Sequence, residues 1–456
     1  MKTRRTFIKE AGFVSLGFMG LHRFTTHFPG GMHKTGYGPL LSDPDNILLL
    51  PKGFTYKIIS KKGDKMSDGF LVPGLADGMA AFEENGKVIL VRNHEVSPGD
   101  IEQGPYGPKG ELLDKIQKNK IYDFGSGERI GMGGTTNVVF DEEKQEVEKE
   151  FLSLTGTYRN CAGGPTPWGT WITCEETSAR AGEFLEKDHG YNFEIKASAS
   201  TGLVDPVPLR AMGRFTHEAV AVDPKTSIVY QTEDDSEGLI YRFIPDKYGD
   251  MSSGKLQALM IKDQPSRDTR NWKKTGEPEF PANKPVEVVW IDMENIEDHD
   301  DDLRFRGFDQ GAARFARGEG MWYGNDEVYF ACTNGGKENN GQIFKYIPSE
   351  CEGTEREQEK AGKLELFIES MDSNLMQFAD NLTVAPWGDV VVAEDKSEPR
   401  LVGITPEGEM YHIAKNIGYP SEFAGVCFSP SGDTLFVNIQ SAGLTVAIQG
   451  PWGNRL

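Results

Sequence analysis

One stretch of the chain places a thiol and two carboxylates where they could bind a metal. Residues 160–176 read NCAGGPTPWGTWITCEE, with Cys161 near the start and Cys174, Glu175 and Glu176 at the end. The Pro-rich turn and the β-branched and aromatic residues after it predict a tight β-hairpin. Because antiparallel strands return to their starting level, these side chains gather at one edge of the sheet. A thiolate beside carboxylates suits a transition metal such as iron or zinc.

The same hairpin recurs along the chain, and the repetition predicts the fold. Six segments align on their turns: 78–95, 160–176, 218–235, 319–334, 381–395 and 424–438. Further strand-like segments follow, and four strands per repeat in radial repetition are typical of a β-propeller. We therefore predict an all-β fold, a six-bladed β-propeller. The sixth repeat has room for only three strands, so we expect Phe54–Ser60 to supply the fourth as an N-terminal strand that closes the ring.

Two long segments interrupt the repeats, at residues 98–132 and 262–315. Inserted loops on a propeller usually cover one face and shape the entrance to the site. The acidic run at 294–302 in the second segment is interpreted as solvated surface. We predict that residues 45–456 form a single propeller domain.

The N-terminal residues 1–24 resemble an export signal rather than part of the fold. TRRTFIK at positions 3–9 matches the twin-arginine consensus, and the weakly apolar stretch that follows is short for a membrane span. We predict recognition by the twin-arginine translocation machinery and a periplasmic or extracellular protein. Contact with a membrane is expected only through an uncleaved leader.

The five cysteines and the net charge restrict the ligands further. An odd number of cysteines in an exported chain leaves at least one free, intermolecular or metal-bound. A Cys161–Cys174 disulfide remains the alternative to metal binding. The chain carries 70 acidic and 49 basic residues, a net charge of −21. This balance argues against nucleic acid and anionic membranes as partners, and it suits a protein that binds cations.

Equivalent positions of the six repeats predict two rings of ligands around a central channel. The first positions of the inner strands are Gly78, Cys161, Glu218, Glu319, Asn381 and Ala424. Acids and amides end the neighbouring strands: Glu95, Glu175, Glu176, Glu233, Asp234, Asp235, Asn334, Glu394, Asp395 and Asn438. So many like charges would repel one another unless cations or protons compensated them. Oxygen donors suit Ca²⁺ and the thiolate suits a transition metal, so a mixed cluster is expected. The candidate metal ligands are Cys161, Glu218, Glu319, Glu95, Glu175, Glu176, Glu233, Asp234, Asn381 and Glu394.

Two further residues are candidates for a catalytic role. Arg317 lies two residues before Glu319, and a guanidinium beside a metal cluster could bind an oxyanion such as phosphate with its fork. A salt bridge from Arg317 to one of the ring acids is the alternative. His217 could transfer a proton or only orient carboxylates.

Several motifs together resemble the PhoX-type alkaline phosphatase family. They are the twin-arginine leader, NHE at 93–95, GGTTN at 133–137, NCAGGPTPWGTWITCEE at 160–176, GRFTHE at 213–218, TEDD at 232–235, RGEG at 317–320 and AEDK at 393–396. The resemblance implies a six-bladed propeller that holds two Fe³⁺ and several Ca²⁺ ions and hydrolyses phosphate monoesters. It implies Cys161, Glu218 and Glu319 as iron ligands and Arg317 as a phosphate contact. Cys174 competes with Cys161 for the thiolate role, and the repeat alignment favours Cys161.

The sequence is also compatible with two other classes of function. A calcium-dependent propeller lactonase or organophosphate hydrolase would use a similar axial site without a thiolate. A non-enzymatic propeller could bind a partner on its rim, with calcium only stabilising the fold. For the phosphatase, the expected substrate is a small phosphate ester and the expected assembly is a monomer.

Overall fold

The computed structural model describes residues 35–454 except 128, 201, 277, 298 and 299. The predicted twin-arginine segment, residues 1–24, lies outside the described residues. Strands dominate the described part, which contains one α-helix, α1 (Leu303–Asp309). The strands are β1 (Leu40–Leu41), β2 (Leu48–Pro51), β3 (Thr55–Lys61), β4 (Ala76–Glu84), β5 (Lys87–His94), β6 (Gly133–Asp141), β7 (Glu146–Thr157), β8 (Asn160–Pro165), β9 (Thr170–Glu175), β10 (Asn192–Lys196), β11 (His217–Val222), β12 (Val229–Glu233), β13 (Ile240–Lys247), β14 (Asp250–Ile261), β15 (Val286–Asp292), β16 (Gly318–Gly324), β17 (Glu327–Cys332), β18 (Gln342–Ile347), β19 (Lys363–Glu369), β20 (Ala379–Val384), β21 (Val390–Glu394), β22 (Arg400–Ile404), β23 (Met410–Asn416), β24 (Phe423–Phe428), β25 (Thr434–Ile439) and β26 (Leu444–Gln449).

All six predicted hairpins are present as antiparallel pairs. They are β4–β5, β8–β9, β11–β12, β16–β17, β20–β21 and β24–β25. The first strands of these hairpins neighbour one another in the cyclic order β4, β8, β11, β16, β20, β24 and back to β4. Strand β3 pairs antiparallel with β26, so the segment predicted at Phe54–Ser60 does complete the last sheet.

The sheets differ from a uniform set of four strands each. Two sheets have four strands, β4 to β7 and β24–β25–β26–β3, and β8 to β10 form a sheet of three. Strands β2 and β1 extend the sheet of β20 to β23 to six. Strand β15 lies inside the predicted insertion at 262–315 and pairs with both β14 and β19, which joins two sheets into one of nine strands. That segment is therefore not only a covering loop.

Apolar side chains fill the space between successive sheets. Met79 and Leu90 of the first sheet, for example, pack with Phe436 and Ala447 of the last one. Similar clusters join each of the other neighbouring sheets. Burial of apolar surface on both faces of a sheet is the main force that holds such layers together. The described residues thus form an all-β, propeller-like arrangement.

A layer of mostly small residues brings the six first strands close together at the centre. It consists of Gly78, Ala162, Ala219, Gly320, Asn381 and Val426. A Cβ atom on Gly78 would lie 2.5 Å from the Ala162 Cα, and one on Gly320 would lie 2.7 Å from the Asn381 Cα. Both distances are too short for a side chain, so glycine is required at these two positions. The layer forms a floor across the axis.

Replacing Gly320 by Ala should destabilise the protein. The new methyl group would force the inner strands apart, and overpacking of this kind costs about 1–3 kcal/mol. Urea denaturation would measure the change in the free energy of unfolding. Gly453→Ala is the control, because a Cβ atom there meets open space. Equal stability of the two variants would contradict the tight approach of the inner strands.

Candidate metal centre

Each of the six hairpins carries a β-bulge at the same height of its first strand. In the first hairpin, for instance, Ala76 pairs with His94 and Met79 pairs with Arg92, so two residues oppose one. The same irregularity occurs in the other five hairpins. The first residues of the bulges, here called the bulge residues, are Asp77, Cys161, Glu218, Glu319, Asp380 and Gly425. A bulge re-aims the side chain it carries, and here five of six point donor atoms into one cavity.

One backbone hydrogen bond closes the open end of every hairpin. The N–H that donates belongs to the exit residues, which follow the second strand: Glu95, Glu176, Asp234, Thr333, Asp395 and Gln440. The carbonyl that accepts belongs to the rim residues, which precede the bulge: Leu75, Arg159, Thr216, Arg317, Phe378 and Glu422. These six N···O distances are 2.9–3.3 Å. Four rim residues have a left-handed backbone, with φ between 48° and 54°: Leu75, Arg159, Arg317 and Phe378.

The cavity above the floor has a volume of about 240 Å³. Twelve residues line it, and each is a bulge, rim or exit residue: Asp77, Glu95, Arg159, Cys161, Glu176, Glu218, Arg317, Glu319, Asp380, Asp395, Glu422 and Gln440. Eight of them are carboxylic acids and two are arginines. The lining therefore carries a large excess of negative charge when these acids are ionised.

Two groups of lining residues are compact enough to hold a cation. The donor atoms of Cys161, Glu176 and Glu218 lie within 4.8 Å of one another, and so do those of Glu218, Glu319 and Asp380. Glu218 is common to both groups. The first group contains a thiol and the second only oxygen donors. A thiolate with carboxylates fits a transition metal, and carboxylates alone fit a hard cation as well.

A third observation also indicates cation binding. The Asp77 Oδ1 atom is buried and has no hydrogen-bond partner among the described residues, although Oδ2 accepts a 2.9 Å hydrogen bond from Gln440 Nε2. A buried carboxylate oxygen is costly unless a donor or cation satisfies it. The residues present thus fit metal cations.

The acids of the cavity cannot all be ionised without compensating charge. Burial and neighbouring carboxylates raise the pKa of Glu176 to about 11, that of Glu422 to about 10 and that of Asp380 to about 7. The same causes raise the pKa values of Glu218 and Glu319 well above the usual range for a carboxyl group. Without metal, the cavity therefore retains protons, and bound cations would displace them.

The two arginines are held by the acids around them. Arg317 donates from Nε and Nη2 to the two oxygens of Asp234, both at 2.8 Å, and from Nη2 to Glu319 at 2.7 Å. Arg159 donates from Nε to Glu95 at 2.9 Å and from Nη2 to Glu176 at 2.5 Å. The alternative of a salt bridge from Arg317 to the ring acids is therefore present in the structure. Because the Nη1 group of Arg317 takes no part in these bonds, the arginine can also bind an anion.

The structure brings together half of the predicted site. Arg317 and the predicted ligands Cys161, Glu218, Glu319, Glu95 and Glu176 all line the cavity. Asp234 is not in the lining, and it holds the Arg317 side chain instead. All five cysteines are free thiols, so Cys161 and Cys174 form no disulfide. The Cys174 thiol packs in an apolar cluster, which agrees with the choice of Cys161 as the ligand.

Three predicted metal ligands, Glu175, Glu233 and Glu394, lie outside the cavity lining. Each ends a second strand and immediately precedes an exit residue. Successive residues of a strand point to opposite faces, so these side chains turn away from the axis. Glu233 accepts a 3.0 Å hydrogen bond from the Tyr241 hydroxyl, and Glu394 binds the guanidinium of Arg400 at 2.5 and 2.8 Å. These contacts anchor the ends of the hairpins, and the predicted role of the three residues as metal ligands stays a prediction.

His217 and Asn381 also lie outside the cavity. His217 Nε2 donates a 3.1 Å hydrogen bond to the Gly213 carbonyl, and the ring stacks on Phe215 at 3.6 Å. Burial lowers the pKa of His217 to about 3, so the ring is neutral at any physiological pH. Asn381 is part of the floor, where its Oδ1 accepts a 2.7 Å hydrogen bond from the Gly425 N–H. His217 is not among the residues that line the cavity, so this geometry does not support the predicted catalytic role, which stays a prediction.

Replacing His217 by Gln should leave the activity within about threefold, because the ring does not reach the cavity. Glutamine can keep a donor for the Gly213 carbonyl. Steady-state hydrolysis would measure the effect. A general acid or base contributes about 100-fold or more. A loss of that size in a stably folded variant would show that His217 has a catalytic role.

Sequence reasoning missed several lining residues, among them Asp77, Asp380, Arg159 and Glu422. A usable signal existed for the first two. The segments ADGM at 76–79 and ADNL at 379–382 match GEGM at 318–321 when they are aligned on the acid. Alignment on the turns is one residue out of phase, and it selected Gly78 and Asn381 in place of their neighbours.

Comparison with known proteins identifies the family. The family model described as "Alkaline phosphatase PhoX" matches residues 35–443, nearly the whole chain. The chain belongs to the PhoX alkaline phosphatase family. Membership in the PhoX family makes it a hydrolase that acts on phosphate monoesters, and this family is metal-dependent. The motif resemblance seen in the sequence is confirmed.

Other comparisons are weaker. No curated protein sequence matches the chain at a significant level. Among solved structures, the chain is similar to a gluconolactonase from Xanthomonas campestris, with 10% identity over 88% of this chain and 96% of that one, at a TM-score of 0.41. A protein of unknown function from Bacteroides thetaiotaomicron shares 9% identity over 87% of this chain and 76% of its own, at a TM-score of 0.43. Likeness at these scores carries no conclusion about the activity of this PhoX-family chain.

One observation concerns membranes. In the part of the chain that the structure describes, no helix has the length and apolar character needed to cross a bilayer.

Proposed function

We propose that this PhoX-family chain hydrolyses phosphate monoesters at a mixed cluster of two Fe³⁺ and several Ca²⁺ ions in the central cavity. The observation that supports the proposal most strongly is the pair of ligand groups that share Glu218 beneath two arginines. Cys161, Glu176 and Glu218 would hold one iron, and Glu218, Glu319 and Asp380 the other. Because Ca²⁺ prefers oxygen ligands, a lactonase site that binds only calcium would not need the thiol in the first group.

The remaining oxygen donors of the cavity suit calcium. They are Asp77, Glu95, Asp395, Glu422 and Gln440, which belong to the first, fifth and sixth hairpins. Ca²⁺ prefers six to eight oxygen ligands in flexible geometry, which carboxylate and amide side chains supply. When bound, the metal ions would neutralise the acids, polarise the phosphoryl group and stabilise the leaving oxygen.

The chain's own contribution to the reaction comes from the two arginines. Arg317 and Arg159 stand at equivalent rim positions of the fourth and second hairpins, so they face one cavity from different directions. Asp234 already holds the Arg317 fork in place, which reduces the ordering needed when phosphate binds. We propose that both guanidinium groups donate hydrogen bonds to phosphate oxygens and so orient the ester. The floor of small residues closes the other end of the cavity.

The proposal also covers architecture and location. The cyclic order of six hairpins supports a six-bladed propeller for the predicted domain at 45–456, since the described residues from Thr35 onward form one compact unit. The twin-arginine consensus at the N-terminus supports export in the folded state to the periplasm or the exterior.

Elemental analysis of exported protein, combined with hydrolysis of p-nitrophenyl phosphate before and after chelation, tests this function. We expect about two iron atoms per chain, several calcium atoms, and loss of activity when the metals are removed. Calcium without iron in an active lactonase, or full metal content without phosphatase activity, would contradict the proposal.

Removal of metal should also make stability depend on pH. The pKa values of Asp380, Glu422 and Glu176 are about 7, 10 and 11 in the folded protein and near 4 in an unfolded chain. A raised carboxyl pKa gives stability that is present at low pH and is lost as the pH rises through the folded value. The melting temperature of the chelated protein should therefore fall between pH 6 and pH 9. Calorimetry of the loaded protein, with the acids neutralised by metal, should show a much smaller slope.

A further inference from the structure

The Glu175 carboxylate is held by four hydrogen-bond donors. Its Oε1 atom accepts from the Tyr158 N–H at 2.9 Å and from His189 Nδ1 at 2.7 Å. Its Oε2 atom accepts from the N–H groups of Gly190 at 2.9 Å and Tyr191 at 3.3 Å. The side chain is fully buried. A carboxylate with this many donors has a single defined position.

The residues next to these contacts lie in the cavity. Arg159 follows Tyr158 and Glu176 follows Glu175, and the Glu176 N–H donates a 2.9 Å hydrogen bond to the Arg159 carbonyl. Arg159 has φ of 50°, a left-handed conformation that a long side chain rarely adopts without support. Glu175 therefore fixes the backbone on both sides of the pair that carries Arg159 and Glu176.

His189 and Asp123 support the carboxylate from behind. The Nε2 atom of His189 donates to Asp123 Oδ2 at 3.2 Å, so both ring nitrogens face carboxylate oxygens. Asp123 in turn accepts from the N–H groups of Glu186 at 3.1 Å and Lys187 at 2.9 Å. Asp123, His189 and Glu175 have side chains fully shielded from solvent. These hydrogen bonds connect the inserted segment 98–132 to the edge of the cavity.

The equivalent positions of two other hairpins lack this combination of a buried carboxylate and an arginine at the rim. In the fifth hairpin, Glu394 accepts a 2.7 Å hydrogen bond from the Gln377 N–H in the same way, but the rim residue there is Phe378. In the fourth hairpin, Cys332 occupies the position of Glu175, and the Arg317 side chain is held by Asp234. Among the described residues, the Arg159 side chain has hydrogen bonds to Glu95 and Glu176 alone, and the proposed function assigns both of these acids to metals. Its backbone support is therefore the part that metal loading leaves unchanged.

We propose that Glu175, His189 and Asp123 form a positioning latch that holds Arg159 and Glu176 in place for phosphate binding. The inference rests on the proposed function, in which Arg159 binds the phosphate group. None of the three latch residues touches the cavity, so they act only through the two residues they hold.

Two substitutions of His189 separate the latch from a general loss of folding. His189→Leu removes both donors, whereas the side-chain amide of His189→Asn can still donate to Glu175. Calorimetry with inorganic phosphate on the metal-loaded protein should show roughly tenfold weaker binding for the leucine variant. The asparagine variant should recover most of the affinity. If the leucine variant does not fold, Asp123→Asn takes its place with the same expected direction.

Amide hydrogen exchange gives a second readout that needs no activity. Exchange in the segment 157–177 should be faster in the leucine variant, because the Tyr158 and Glu176 amides lose their fixed partners. Glu194→Gln is the matched control: Glu194 accepts hydrogen bonds from Trp168 and Thr170 in the same sheet but does not line the cavity. Unchanged exchange in this segment, or unchanged phosphate affinity, would overturn the latch.

A double substitution decides whether the latch acts through the arginine. In an Arg159→Ala background, His189→Leu should have no further effect on phosphate affinity. A full additional loss in that background would overturn the assignment. If the wild-type protein binds no phosphate, the proposed function fails by itself, and hydrogen exchange still decides whether the latch holds this segment.

Discussion

Glu218→Gln is expected to abolish the phosphatase activity, with a loss of at least about a thousandfold in kcat/KM. Glu218 is the residue that both ligand groups share, so its replacement weakens both candidate metal positions at once. Glutamine keeps the size of the side chain and removes the negative charge. We expect the iron content of the purified variant to fall together with the activity, which elemental analysis and p-nitrophenyl phosphate hydrolysis would show in parallel.

The fold should survive this substitution. Burial and neighbouring carboxylates raise the pKa of Glu218 strongly, so its ionised form is unfavourable without metal. A neutral amide should therefore leave the metal-free protein as stable as the wild type or more so. Glu194→Gln serves again as the matched control, with expected activity within about twofold. Full iron content and near-normal turnover in Glu218→Gln would contradict the shared-ligand assignment.

The repeat was readable from the sequence because it depends on local patterns. Alternating apolar residues and a turn recur in all six hairpins, and the short last repeat indicated that β3 would pair with β26. Strand β15 was not predicted, because its pairing with β14 and β19 depends on contacts between repeats that local sequence does not encode. The extension of one sheet by β1 and β2 was missed for the same reason.

From the sequence, the positions of the residues that line the cavity could be predicted only to within one residue. A bulge adds one residue to each first strand, and the added residue changes which side chain faces the axis. The segments that join the paired strands range from two residues after β4 to six after β11, so alignment on the turns does not keep the bulges in phase, and it selected Gly78 and Asn381 where the structure places Asp77 and Asp380. Adjacent acids end several of the second strands, and successive residues of a strand point to opposite faces. The sequence alone does not show which acid of each pair faces the cavity. Glu176 faces the cavity and Glu175 does not.

Arg317→Ala is the second substitution for which we expect a large effect, a loss of about 100- to 1,000-fold in kcat/KM. The guanidinium remains charged throughout the working pH range, because its hydrogen bonds to Asp234 and the nearby Glu319 raise its pKa. It lines the cavity and donates a hydrogen bond to Glu319, and it is not a predicted metal ligand. The iron and calcium content should therefore stay at the wild-type level while phosphate inhibition weakens.

Arg317→Lys tests whether the forked geometry matters in addition to the charge. A lysine cannot engage both oxygens of Asp234 and a phosphate oxygen together, so we expect only partial recovery of activity. Near-normal turnover in the alanine variant, or loss of metal from it, would contradict the role of Arg317 as a phosphate contact.

Asp234→Asn distinguishes the two roles that Asp234 could have. If it were a metal ligand, as the sequence predicted, the substitution would lower the metal content. The structure instead places both of its oxygens on Arg317 at 2.8 Å. An asparagine would replace one acceptor by a donor and loosen the fork, so we expect roughly tenfold weaker phosphate binding with the metal content unchanged. In an Arg317→Ala background the same substitution should then have little further effect on phosphate affinity, because Asp234 acts on the substrate only through the arginine that it holds.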